Sequence, residues 1–521
     1  MFRLALLWLY VFVLGVYAWR DWYVSLCGLI LLMAVIQHPD MPKSISGIQG
    51  ANPWNILFFF VCCGWLASRK KESLQWDMPK YLNFLLLSYG AVVIVATARL
   101  ISDPENYIKA NPDMSIMGEF VINTFKWPIV GLLLFEGCRN RSRFLLGMGS
   151  VLAIYFLIGL QVIRCMPWDA ILDGGELEKR SIRILANQVG YHRVNLSMML
   201  AGAFWALWAA RPLVQSVAFS RLLLVASVIM FYAQALTAGR MGYVTWILVG
   251  ACLSVIRWRR YLLIAPVVIP VFALIIVTFT PGVAERLFKG FSKDSVDNAR
   301  PVDRQGRVLA VDKQGPDMYT VTSGRTLAWP FVIEKIYASP FVGYGRQAMV
   351  RTGISAYLWS MYKEGFEHPH NAYLELLLDN GVIGFLLVLP FYYVIVRNGI
   401  SLFRDSRSPI FVVSGGVVLA LVLALLFASF GSQTFYPREG AVGMWCAIGL
   451  MLRVCVERDR ALAALQHPHV TAEPQPIQQD VSVKTHQPIR RRPGTLLRPR
   501  IARSQASATD TLDGQLWAQA A

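Results

Sequence analysis

Residues 409–430 read PIFVVSGGVVLALVLALLFASF, an apolar run in which no side chain is charged. A helix of that length rises roughly 33 Å and so crosses the ~30 Å hydrocarbon core of a bilayer, for which about 20 apolar residues suffice. Blocks of similar character recur at 3–19, 22–37, 52–68, 80–99, 118–137, 143–163, 194–210, 220–237, 241–256, 261–279, 373–396 and 439–455. The apolar residues come in blocks rather than in alternation, which argues for helices. Over the whole chain of 521 residues, 55% are hydrophobic and only 16% charged. The pattern predicts an all-α polytopic membrane protein with twelve or thirteen transmembrane helices, the first pair being the shorter ones.

Four regions follow: an N-terminal transmembrane bundle over 1–279, a large external loop with short helices over 280–372, C-terminal transmembrane helices over 373–456, and a disordered basic tail over 457–521. The first block lacks a small-residue cleavage site and runs through Arg20-Asp21 into the second, so it does not read as a cleaved signal peptide. Seven of the eight cysteines lie in or beside apolar blocks, and Cys165 alone falls in a long loop; neither a disulfide framework nor zinc spacing emerges. A net charge of +18 would suggest nucleic acid in a soluble protein. Here it reads as the Lys and Arg that collect in cytoplasmic loops, and no nucleic-acid partner is expected.

The basic loops fix an orientation. Arg69-Lys70-Lys71, Arg139/Arg141/Arg143, Arg211/Arg221, Arg257/Arg259/Arg260 and Arg397/Arg404/Arg407 fall on alternate sides of successive blocks, and Arg453, Arg458 and Arg460 follow the last. All of them are cytoplasmic together. The N-terminus is then outside with thirteen spans, and inside if the first pair is miscounted. The loops on the other side still hold Arg164, Arg180, Arg183, Arg193, Arg240, Arg325, Arg346, Arg351 and Arg438. Arg240 is distinct because its turn, Thr237-Ala238-Gly239-Arg240-Met241-Gly242, is too short to leave the membrane surface. An ionisable group at that depth is a functional candidate, and a guanidinium fork suits a phosphate or diphosphate.

Within the external loop, Lys293 to Thr320 reads as irregular. Thr322-Ser323-Gly324-Arg325 then leads through a turn into an amphipathic helix over Phe331–Tyr337, which Ser339-Pro340 stops. A glycine-bearing loop, Phe341-Val342-Gly343-Tyr344-Gly345-Arg346, comes next, and the whole forms a small helical cap over the membrane domain. The loop ends in His368-Pro369-His370-Asn371. Pro369 disfavours helix at His368, and Asn371 is an N-cap for a helix starting at Ala372. Glu375 and Asp379, at i and i+4, share one face. A tail copy, His467-Pro468-His469, shows that the tripeptide alone means little. Its setting makes His370 a candidate proton acceptor at the membrane boundary.

Three pieces, Ser323-Gly324-Arg325, Ser339-Pro340-Phe341-Val342-Gly343-Tyr344-Gly345, and His370-Asn371-Ala372-Tyr373-Leu374-Glu375 with Asn380-Gly381-Val382-Ile383-Gly384, together resemble the O-antigen ligase/polymerase family. The resemblance is concentrated in about 220–430 and departs at Ala238-Gly239, where a serine often precedes the family's arginine. It implies a bacterial inner-membrane enzyme whose site faces the periplasm. Its donor would be a glycan on a polyprenyl diphosphate. The acceptor would be a sugar hydroxyl of lipid A-core, another glycan chain, or in some members a protein. By motif, His370 is the family's essential histidine, Arg240 the arginine of its short external turn and Arg325 that of its loop.

Arg193, Arg346, Asn371, Glu375 and His368 complete the expected substrate-binding set. Glu375 either orients His370 or caps the helix start. No Walker-type stretch and no Asp-x-Asp occurs, so the expectation is a cofactor-free, metal-independent, inverting transfer. Ligase is the leading expectation, polymerase and protein O-oligosaccharyltransferase the alternatives within the class. A lipid-linked glycan transporter is the rival from another class, although no internal repeat of the kind common in transporters is found.

Overall fold

The computed structural model describes residues 2–45, 48–112, 115–166, 169, 174–214, 216–288, 322, 324–363 and 365–466. The expected irregular stretch 293–320, Ser323 and the tail beyond Gln466 lie outside the described residues. A helix stands at every apolar block: α1 (Phe2–Tyr17), α2 (Trp22–Leu32), α3 (Pro53–Ser68), α4 (Lys80–Ser102), α5 (Gly118–Gly137), α6 (Arg141–Cys165), α7 (Arg193–Ala210), α8 (Val217–Leu236), α9 (Arg240–Ile256) and α10 (Arg259–Phe279). After the cap helices α11 (Arg325–Ala338) and α12 (Ile354–Tyr362) come α13 (Ala372–Arg404), α14 (Pro409–Ala428) and α15 (Val442–Gln466). Eight of these are long and apolar enough to cross a membrane. A two-residue ribbon, Ser44–Ile45 against Ile48–Gln49, is the one strand pairing among the described residues.

α2 corrects the sequence reading. The apolar block runs to residue 37, but the helix stops at Leu32 after 11 residues, a rise of about 17 Å and too short to span. It is buried against its neighbours instead, with Trp22, Tyr23, Leu26 and Leu29 wholly enclosed. The opening run, α14, is the most enclosed long helix, and α7 and α13 pack on it. At the other extreme α15 continues ten residues into the expected tail, to Gln466. There Arg453, fully buried, reaches the Asp77 carboxylate at 2.6 Å and Glu457 at 3.1 Å. Arg139 joins the same Asp77 at 3.2 Å, and Arg143 holds Glu72 at 2.6 Å. The basic loops that the sequence assigns to one side thus meet at one end of the bundle.

At the opposite end α13 breaks. Gly381 has φ 62° and ψ −169°, a region essentially reserved for glycine. A helix broken at membrane depth frees backbone groups that lipid has no means of satisfying. The loop before the cap's second half supplies the partners. Tyr344 and Gly345 donate their N–H groups to the carbonyls of Leu378 (2.9 Å) and Asp379 (2.6 Å). Val382 and Ile383 donate to the carbonyls of Pro340 (2.8 Å) and Phe341 (3.1 Å). A Cβ on Gly381 would lie 2.2 Å from the Phe341 carbonyl carbon. The two glycine motifs are therefore one object, a loop laid against a helix break.

The cap has its own small core of Ala328, Val332, Met349, Ile354, Leu358 and Phe366, closed below by Leu378 of α13. Its helix α11 begins at Arg325, six residues earlier than the 331–337 reading, because Gly324 takes a left-handed φ of 79° and turns the chain directly into the helix.

Candidate active site

His370 sits where the cap meets α13. Its φ is 52°, a left-handed conformation that costs a non-glycine residue about 1–3 kcal/mol and survives only where the surroundings over-determine it. They do so here from three directions. The Trp329 indole N–H of α11 donates to the Pro369 carbonyl at 3.0 Å. The Ala372 N–H donates to the Ser429 carbonyl at 2.7 Å, tying the segment to the end of α14. Asn371 caps α13, its Oδ1 accepting from Tyr373 N at 3.0 Å and Leu374 N at 3.2 Å. The ring is placed by Ser432 Oγ, 3.3 Å from Nδ1, by an edge contact with Phe366, and by His368, whose ring centroid is 4.2 Å away.

The arginine turn is built as tightly. Ala238 also adopts a left-handed φ, 55°, and its carbonyl accepts from Arg193 Nη1 at 3.0 Å. A Cβ at Gly239 would fall 2.2 Å from Ser197 Oγ. The departure at Ala238-Gly239 therefore serves a close seat of the α9 start on α7. Arg193, at the first residue of α7, is buried, while Arg240 and Arg325 are half-buried.

The electrostatics join these pieces. Burial, and after it Arg240 and Arg193, hold the Arg325 guanidinium down to about 10. Burial, then His368, Arg325 and His192, push the His370 imidazole down to about 2. His368 is also lowered, burial again leading. Arg193 and Arg240 thus gather on Arg325, which lies beside the uncharged His370 imidazole. Crowded like charges that depress one another are relieved by an anion, and such perturbed groups cluster at functional sites.

Of the residues singled out in the sequence, His370, His368, Arg240, Arg325 and Arg193 are brought together. Asn371 is spent on the helix cap. Glu375 is buried on α13 and acts on His368 rather than on His370. Arg346 stands apart. Its guanidinium lies between the rings of Phe120 (4.5 Å) and Tyr436 (4.2 Å) and donates to the Phe120 carbonyl and Thr124 Oγ1. Its charged neighbours are Arg438, Glu375 and Asp379. Two site residues escape a sequence reading. His192 precedes Arg193 in a long loop, and Ser432 lies in the 431–438 turn with no motif around it. Among the described residues no group of three or more metal-ligating side chains forms.

Fold and site together define a polytopic membrane protein in which Arg193 and Arg240 lie near Arg325, and Arg325 near His370. Residues 225–389 match the family model described as O-antigen ligase, a match that supports assignment to the O-antigen ligase/polymerase family and a function of that type. The matched segment contains Arg240, Arg325, His368 and His370; Arg193, His192 and Ser432 fall outside it. No curated protein matches the chain.

Proposed function

We propose that the protein is a glycosyltransferase of the ligase kind, moving a glycan from a polyprenyl diphosphate to a sugar hydroxyl of lipid A-core at the periplasmic face of the inner membrane. The observation that carries this reading is the gathering of Arg193 and Arg240 on Arg325, which in turn faces a histidine that burial keeps uncharged.

In this reading Arg240 and Arg325 hold the donor diphosphate, and Arg193 fixes the turn that carries Arg240. With the Nδ1 proton given to Ser432, His370 presents its Nε2 lone pair to the acceptor. The acceptor oxygen attacks the anomeric carbon as its proton passes to Nε2. The bond from that carbon to the diphosphate oxygen breaks, and its electron pair leaves on the diphosphate, where the guanidinium groups stabilise it. A single displacement inverts the anomeric centre, and no metal takes part. Arrival of the diphosphate also offsets the Arg325 charge that depresses His370, so the base gains strength once the donor is bound. General base catalysis of this kind contributes roughly 10²–10⁴-fold.

The test is transfer from a lipid-diphosphate donor by the purified protein in EDTA, wild type against His370→Ala. Loss of transfer in the variant supports the reading, whereas full activity in the variant overturns it. Metal dependence of the wild type would remove the arginine-only stabilisation.

A further inference from the structure

The short α2 leaves a space. It packs on α3 and α6, then ends at Leu32, and the chain turns through Met33–Gln37. Half of the bilayer thickness between α1 and α6, on the side of the His370 site, therefore has no helix to fill it. The result is a groove of about 1340 Å³, larger than the roughly 300–1,000 Å³ of a small-molecule pocket. Leu6 and Leu7 of α1, Leu31 of α2, and Leu157 and Leu160 of α6 line it. An apolar groove at this depth opens on hydrocarbon, not on water.

The groove's mouth is charged. Arg3 and Arg164 both line it and are exposed. Neither has an acidic partner among the described residues, and Asp40 at the same rim faces His38 at 3.8 Å. The arginine cluster is elsewhere, since none of Arg193, Arg240, Arg325 and His370 lines the groove. We propose that the groove is a binding site for an anionic glycerophospholipid, with acyl chains along α1, α2 and α6 and its phosphate against Arg3 and Arg164. Apolar walls with two unpaired guanidinium groups at the interface match that ligand in shape and charge.

The experiment is native mass spectrometry of the full chain released from detergent containing equimolar phosphatidylglycerol and phosphatidylcholine. Two juxtamembrane arginines correspond to about 30-fold preference for the anionic lipid. The double variant Arg3→Gln/Arg164→Gln is expected to retain lipid but lose that preference. Leu160→Trp, which fills the groove, is expected to lower retained lipid of both kinds while the remainder stays selective. Equal preference in wild type and charge variant overturns the proposal. So does a wild type that retains no lipid, or one that instead retains a second protein chain in the Leu160→Trp-sensitive position.

Discussion

Replacing Asn371 with alanine separates a residue that places His370 from one that touches substrate. The amide makes two hydrogen bonds, to Tyr373 N at 3.0 Å and Leu374 N at 3.2 Å, and both belong to the first turn of α13. Loss of such a cap costs about 0.5–2 kcal/mol. If all of that is expressed as misplacement of the adjacent imidazole, transfer slows by about 2- to 30-fold. Removal of the base itself costs roughly 10²–10⁴-fold. Asn371→Ser accepts the same backbone N–H groups without adding charge beside His370, and is expected to restore most of the rate. The assay is single-turnover transfer at saturating lipid-diphosphate donor, with the protein in nanodiscs. A loss beyond about 10³-fold in Asn371→Ala, left unrescued by serine, would show that the amide contacts substrate and would refute the capping argument.

Three other outcomes are expected. Gly381→Ala forces a side chain into the Phe341 backbone at 2.2 Å and a conformation costing about 1–3 kcal/mol, so amide exchange at Tyr344, Gly345, Val382 and Ile383 should rise before exchange in α14 does. Equal exchange at both would contradict the loop-on-break reading. Ser432→Ala removes the partner of His370 Nδ1 and should lower kcat about tenfold with KM little changed, the mark of a positioning role; a rise in KM alone would contradict it. Arg325→Gln takes away one of the charges that depress His370. The imidazole pKa therefore rises, and the acid limb of residual kcat/KM, where protonation silences the base, should move to higher pH. A limb that stays put or moves to lower pH would contradict the coupling.

The membrane architecture is legible in the chain because a spanning helix is a one-dimensional signal: some twenty apolar residues suffice. That signal marks each bundle helix from Phe2–Tyr17 to Val442–Gln466, though not the cap helices α11 and α12. It misjudges α2, where residues 33–36 are apolar but turn, since apolarity records environment and not helix length. His370 and Arg240 stand out through their unusual setting at the ends of apolar blocks, and Arg325 through the loop motif that carries the family resemblance. Arg346 stands out equally, yet its rings come from Phe120 and Tyr436, far away in the chain, and only tertiary packing brings them to it. The same holds for Ser432 and His192, ordinary loop residues until the helices gather. The pairing of Pro340–Gly345 with the Gly381 break is likewise invisible in sequence, although glycines stand in both halves.

The decisive measurement is the rate of glycan transfer from a polyprenyl-diphosphate donor to a lipid A-core acceptor, with EDTA present, for wild type and His370→Gln. The glutamine keeps size and hydrogen bonding but accepts no proton. Wild-type turnover in EDTA, with a fall of about 10²–10⁴-fold in the variant, is the expected result. Undiminished transfer by His370→Gln would contradict a base at His370, and the arginine cluster would then need another chemistry.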